Sequence, residues 1–142
     1  MHTMKTAAII AEYNPFHEGH RYQIEETRKK TGADYILVIM SGDFVQRGAP
    51  AIFNKYRRTK EALLGGADAV IELPSLYAVS SAEFFAGGGV TLLNQLGMVD
   101  YLSFGSESGD IDQIRYCANL LIDVPPSYQN ALSLFLKQGL SY

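Results

Sequence analysis

The sequence predicts an α/β protein, specifically a Rossmann-like doubly wound parallel sheet, and three observations predict it. Short apolar runs alternate with longer amphipathic stretches through the 142 residues. Successive apolar runs are separated by single helix-length segments, the spacing that parallel strands need for crossover connections. The run Tyr35–Met40 is almost unbroken in its apolar character, as a strand covered on both faces must be.

Each element follows from local chemistry. A first strand is expected at Thr6–Glu12 and a helix at Gly19–Thr31, stopped by Gly32, a residue that enters the left-handed conformation of a helix C-terminus without steric cost. Tyr35–Met40 is the second strand, followed by a long connection, Ser41–Asn54, containing Gly42, Gly48 and Pro50. A helix at Lys55–Leu64 closes at Gly65-Gly66, and a third strand, Ala69–Leu73, is broken by Pro74. A helix at Ser80–Leu96 ends at Gly97, a fourth strand covers Tyr101–Phe104, and further helices are expected at Ile111–Leu121 and, after Pro125-Pro126, at Ser127–Lys137. No repeat, low-complexity stretch or internal linker interrupts the pattern, so residues 1–142 read as one domain.

Composition narrows the function classes. The chain is 47% hydrophobic, ordinary for a globular protein and enough for a core. No apolar run approaches the roughly 18 residues of a membrane span, and the first residues are too short and polar for a secretory signal. The net charge of −3 argues against a strong nucleic-acid binder in this chain alone. Basic residues cluster at Arg28-Lys29-Lys30 and at Lys55, Arg57, Arg58 and Lys60; the first group reads as a solvated helix face, the second also as a possible lining of a site mouth. The single Cys117 permits no internal disulfide, fits a reducing cytoplasm, and lies on an apolar helical pattern that predicts burial.

The residues with most chemistry join the first strand to the first helix: Ile10, Ala11, Glu12, Tyr13, Asn14, Pro15, Phe16, His17, Glu18, Gly19 and His20. Backbone N–H groups in a helix's first turn are unpaired and the helix dipole is positive there, so the place suits phosphate. Each imidazole adds a donor, and Gly19 lets a ligand approach the backbone. The pattern points to an ATP site. Histidines three apart, with no third His or Cys nearby, do not match the His-Glu-x-x-His spacing of zinc proteases.

His17-Glu18-Gly19-His20 resembles the signature of the HIGH nucleotidyltransferases. In the wider run the same order holds for Glu12–His17, for Met40-Ser41-Gly42-Asp43-Phe44-Val45-Gln46-Arg47-Gly48, for Ile71-Glu72-Leu73-Pro74 and for Phe104-Gly105-Ser106-Glu107. Together these are similar to the tRNA(Met) cytidine acetate ligase family over essentially the whole chain. The resemblance implies that ATP and acetate form acetyl-adenylate and that the acetyl group passes to the wobble cytidine of elongator tRNA(Met), with Mg²⁺ bridging the phosphates. It implies ATP contacts along Ile10–His20 and at Gly105, with His17, His20 and Arg47 as the catalytic groups. The family is much longer, so the chain reads as its N-terminal catalytic-domain fragment. It departs from the pattern at Asp43, where Asn is usual. Two other readings share the strand, loop and histidines: a small-metabolite adenylyltransferase of the pantetheine-phosphate or nicotinamide-mononucleotide type, and a non-catalytic nucleotide sensor.

The remaining candidates each carry two readings. Asn14-Pro15 is either turn chemistry or a contact to the ligand, and Phe16 reads as packing. Arg47 sits in a long loop of the kind that often binds ligands and has the forked geometry that grips a carboxylate. Glu72 is either structural or orients a loop. Ser106 and Glu107 suit ribose or base contacts, while Glu107 with Asp110 also suits charge at a helix start. Gly87-Gly88-Gly89 lacks the lysine of a phosphate-binding loop and predicts close helix packing.

Overall fold

Four parallel strands form a single sheet in the computed structural model, which describes residues 3–122 and 124–139. The proposed domain's extreme ends lie outside the described residues. The elements run β1 (Thr6–Ala11), α1 (Glu18–Thr31), β2 (Tyr35–Ser41), a 3₁₀ turn (Gln46–Gly48), α2 (Lys55–Leu64), β3 (Ala69–Leu73), α3 (Ser75–Ala78), α4 (Ala82–Leu96), β4 (Tyr101–Ser103), α5 (Ile111–Ile122) and α6 (Pro126–Lys137). Strand order is β3-β2-β1-β4. Ile9 lies opposite Val38 on one side of β1 and opposite Ser103 on the other. The chain therefore steps outward from β1 through β2 to β3 and returns to the other side of β1 with β4. This reversal beside β1 is the place where doubly wound sheets bind ligands.

Both faces of the central strands β1 and β2 are buried, which explains their apolar runs, while the edge strands β3 and β4 are largely half-buried or exposed. Ile9, Ile36, Val38 and Met40 pack with Ile24 of α1 and Ala62 of α2 on one face. Ala8, Leu37, Ile39 and Leu73 pack with Ala78 of α3 and Phe85 and Leu93 of α4 on the other. Alternate residues of one strand thus feed two cores, as the period of two requires. Gly89 brings α4 close to β1: a Cβ there would come within 2.7 Å of Ile10 Cδ1, and one at Gly88 would overlap the Tyr77 ring. The expectation of close helix packing at this glycine run holds for these two positions; at Gly87 a Cβ would meet open space.

One helix boundary differs from the expectation by two residues: the helix expected at Ser80–Leu96 is α4, which starts at Ala82 with Ser81 as its N-cap. The single turn α3 after Pro74 is an additional, unexpected element. Gly32 ends α1 at φ 64°, as its left-handed role predicts.

The chain divides into two compact units, one ending at Gly105 and the other beginning at Ser106. In the second, Asp110 Oδ1 accepts hydrogen bonds from the N–H groups of Asp112 and Gln113 and so caps α5. Cys117 corrects an expectation: it is exposed, not buried. Neither α5 nor α6 buries a described residue, because two short helices enclose too little volume for a core of their own.

Candidate functional site

An open cleft of about 530 Å³ lies at the carboxyl ends of β1 and β4, where the strand order reverses. Ile10, Ala11, Glu12, Tyr13, Asn14 and Pro15 line it from β1 and the following loop, and His17 and His20 from the start of α1. Gly105 closes it from the end of β4, with Phe104 beside it. Phe16, Glu18, Gly19 and Arg47 stand outside the lining. Phe16 packs instead against the core, edge-on to Tyr13 at 4.9 Å, and fills the space over Gly65. Glu18 is exposed beside Arg21 at 3.8 Å.

The two histidines are bound into the backbone of the helix they begin. His17 is the N-cap of α1, and its Nδ1 accepts the Gly19 N–H at 3.1 Å. His20 Nδ1 accepts the His17 N–H at 3.2 Å. This is a capping box built from imidazoles in place of hydroxyl and carboxylate. A ring nitrogen that accepts carries no proton, so the hydrogen-bond network assigns the proton of each neutral ring to Nε2. The rings stack at 3.7 Å and 23°. Burial lowers the His20 pKa, and the neighbouring His17 lowers it further. The capping bonds to both Nδ1 atoms therefore leave the Nε2 atoms as the ring positions not engaged in the cap. Gly19 has a structural reason of its own: a Cβ there would sit 3.0 Å from His17 Cε1.

Tyr13 adopts φ 50°, in the left-handed region that L-residues seldom use. Its ring is buried against Phe16 and lies 4.7 Å from the His20 ring. Among the described residues its hydroxyl has no hydrogen-bond partner, and burial raises its pKa well above the ordinary tyrosine value. Asn14 joins Pro15 through a cis peptide bond, and its Oδ1 accepts the Ile52 N–H at 2.7 Å. The turn reading of Asn14 thus gains a tertiary partner 38 residues away.

The loop after β2 folds back on itself. Phe44 pairs with Pro50, the Val45 N–H reaches the Ala49 carbonyl at 2.9 Å, and Arg47 occupies the tip at φ 64°. Glu12 Oε1 accepts the Gln46 N–H at 2.9 Å, so a cleft-lining carboxylate sets the position of the residue before Arg47. Asp43 Oδ1 accepts the Lys55 N–H at 2.8 Å, which gives the departure at Asp43 a role at the start of α2. Glu72 binds Lys55 Nζ at 2.7 Å and lies where a Cβ on Gly42 would stand; it orients this loop.

Arg58 was invisible as a special residue in the sequence. It is fully buried and donates to backbone carbonyls of Phe53 at 2.9 Å, Ser41 at 3.1 Å, Glu12 and Gly42. Gln23 also lines the cleft; its signal was present, since i,i+3 spacing puts it on the face of α1 that carries His20. Among the described residues no three His, Cys, Asp or Glu side chains gather as a metal site.

The fold and cleft define a nucleotide-binding α/β domain of the strand–loop–helix type, with paired histidines at the helix start. A family model described as HIGH Nucleotidyl Transferase matches residues 4–142, and the chain belongs to that family. Among similar proteins, a tRNA(Met) cytidine acetate ligase of Acetivibrio thermocellus is 54% identical over 139 residues, covering 98% of this chain and 34% of its own length. One of Caldicellulosiruptor bescii is 50% identical with the same coverage. A crystal structure of Thermotoga maritima TmcAL bound with alpha-thio ATP superimposes with a TM-score of 0.85 at 43% identity, over 97% of this chain and 33% of that one. The chain spans about a third of the length of the relatives it matches.

Proposed function

We propose that the chain is the ATP-binding domain, residues 1–142, of a tRNA(Met) cytidine acetate ligase. The observation that carries the reading is the cleft lined by two histidines at a helix start, in a chain about half identical to proteins of that name. Acetate attacks the α-phosphate of ATP in line, the Pα–O bond to pyrophosphate breaks, and acetyl-adenylate forms. The exocyclic amine of the wobble cytidine of elongator tRNA(Met) then attacks the acetyl carbonyl and AMP leaves. That amine is a weak nucleophile because its lone pair is delocalised into the ring, so a preactivated anhydride held in position suits it.

The residues take these roles. His17 and His20 donate from Nε2 to oxygens of the α-phosphate and the leaving pyrophosphate, where negative charge builds. Ile10, Ala11, Glu12, Tyr13, Asn14 and Pro15 enclose the nucleotide, and Phe16, Glu18 and Gly19 hold the loop and helix start in shape around it. Gly105 leaves room for ribose or base against the backbone. Arg47, at the tip of the clamped loop, grips the acetate carboxylate. Mg²⁺ fits as an ion carried on the ATP phosphates, since it keeps several waters and needs few protein ligands; Glu12 is the carboxylate lining the cleft. Among the described residues no helix is long and apolar enough to cross a membrane, and a reducing cytoplasm is the setting proposed.

Acetate-dependent exchange of labelled pyrophosphate into ATP tests the reading in the full-length protein and its His17→Ala variant. Exchange that needs acetate and falls at least 100-fold in the variant supports it. Exchange that needs a phosphorylated metabolite instead, or ATP binding without turnover, overturns it.

A further inference from the structure

We propose that residues 44–60 form a docking face for an unpaired stretch of RNA, with Tyr56 as a stacking platform for a nucleobase. The inference rests on the function proposed above and says where its acceptor lies. Five of the chain's 12 basic residues, Arg47, Lys55, Arg57, Arg58 and Lys60, fall in these 17 positions, which contain no carboxylate. The 142 residues together are acidic, at net charge −3, so this segregation is local. Buried Arg58 serves the fold, and Lys55 and Arg57 are held by Glu72 and Glu61. Arg47 and Lys60 are exposed and make no ion pair among the described residues.

Aromatic and apolar side chains interleave with these cations. Tyr56 is 76% exposed, Ile52 65% and Phe44 52%, so the three present apolar surface to solvent within one short segment that also carries the cations. The Arg57 guanidinium lies over the Phe53 ring at 3.7 Å, which adds a flat cationic surface. Alternating cations and exposed rings suit single-stranded nucleic acid, whose bases stack on aromatic faces while phosphates meet lysine and arginine. A purely apolar partner would leave Lys60 without a use, while Arg47 is already assigned to acetate.

The face is tied to the cleft. The Gln46 N–H reaches Glu12 Oε1, the Ile52 N–H reaches Asn14 Oδ1, and Arg58 Nη1 reaches the Glu12 carbonyl. Glu12 and Asn14 both line the cleft. A base stacked on this segment therefore stands next to the place where the activated acyl group forms.

The test uses full-length protein with Tyr56→Ala, Tyr56→Phe and Lys60→Ala, an anticodon-arm oligoribonucleotide as the RNA probe, and two separate readouts. Fluorescence anisotropy reports RNA binding, and acetate-dependent pyrophosphate exchange reports the first half-reaction. Tyr56→Ala weakens RNA binding by roughly 5- to 100-fold, the range for one lost base–aromatic stack, while Tyr56→Phe binds as the unmutated protein does. Lys60→Ala lowers the slope of log affinity against log salt by about 0.7, one phosphate contact on a single strand. Exchange is unchanged in all three. Unaltered RNA binding in both Tyr56→Ala and Lys60→Ala overturns the docking face. Absent exchange in the unmutated protein overturns the reaction instead, and the binding readout still decides the face.

Discussion

The guanidinium of Arg58, in the first turn of α2, donates a hydrogen bond to the backbone carbonyl of Glu12, the residue that follows β1. Its other bonds go to carbonyls of Phe53, Ser41 and Gly42. One buried side chain thus joins the end of β1, the end of β2 and the entry to α2. Burial lowers its pKa, and the charges of Asp43, Glu12 and Glu72 oppose that shift. Arg58→Ala would leave several buried carbonyls without donors, at a cost of about 3 kcal/mol or more. The expected drop in Tm is about 10 °C, measured by thermal unfolding; a drop of only a degree or two would mean that water replaces the guanidinium freely.

The imidazole capping box sets a pH dependence. His20 has a folded pKa below its unfolded value, so the unfolded state binds more protons as pH falls through that window. Its contribution to stability is present above the unfolded pKa, near 6.5, and is lost as pH falls through the lower folded value. In the ATP-free protein, ¹⁵N chemical shifts should show neutral rings protonated at Nε2, with His20 titrating below the ordinary histidine range. A dominant Nδ1–H tautomer would contradict the capping arrangement.

A Cβ on Gly105 would meet open space, so the protein's own packing does not require glycine there. Gly105→Ala should alter stability by no more than about 0.5 kcal/mol and weaken ATP binding by about tenfold, or 1.4 kcal/mol. Calorimetry on the two proteins separates these effects. Unchanged affinity would show that the nucleotide does not approach Gly105.

Tyr13→Phe removes a buried hydroxyl with no partner among the described residues. The expected outcome is unchanged or slightly raised stability, by up to roughly 1 kcal/mol, with ATP affinity retained. A fall in ATP affinity with stability unchanged would identify the hydroxyl as a ligand contact.

Arg47→Ala should raise the KM for acetate by roughly 10- to 100-fold, the loss of a charge-assisted bond, with Arg47→Lys between the two. ATP binding without acetate should not change. Equal loss of ATP affinity would assign Arg47 to phosphate instead.

Much of this was readable in advance because it is local. The apolar run of β2 requires two covered faces, and both cores are present. Lys55–Leu64 and Ala69–Leu73 match their expected bounds, since Gly65-Gly66 and Pro74 stop them chemically. The helix expected from Ser80 starts at Ala82 because serine favours a position outside a helix over its interior, and Ser81 is the N-cap. The one-turn α3, Ser75–Ala78, is too short to leave a helical period in the sequence. Gln23 carried a usable helical spacing, but Arg58 carried none: nothing adjacent in sequence distinguishes it from its exposed neighbour Arg57.

By itself the sequence determined the order of strands and helices, the two sheet-facing patterns, and a loop with two histidines at a helix start. These depend on side-chain period, breakers and caps, which act over a few residues. Only the tertiary structure decided that Asn14 holds Ile52, that Glu12 holds Gln46, that Asp43 starts α2, and that Arg58 gathers three segments. Those contacts join residues 12 to 46 positions apart, and such partners are chosen by how the parallel strands stack β1 against β2, not by any neighbour along the chain.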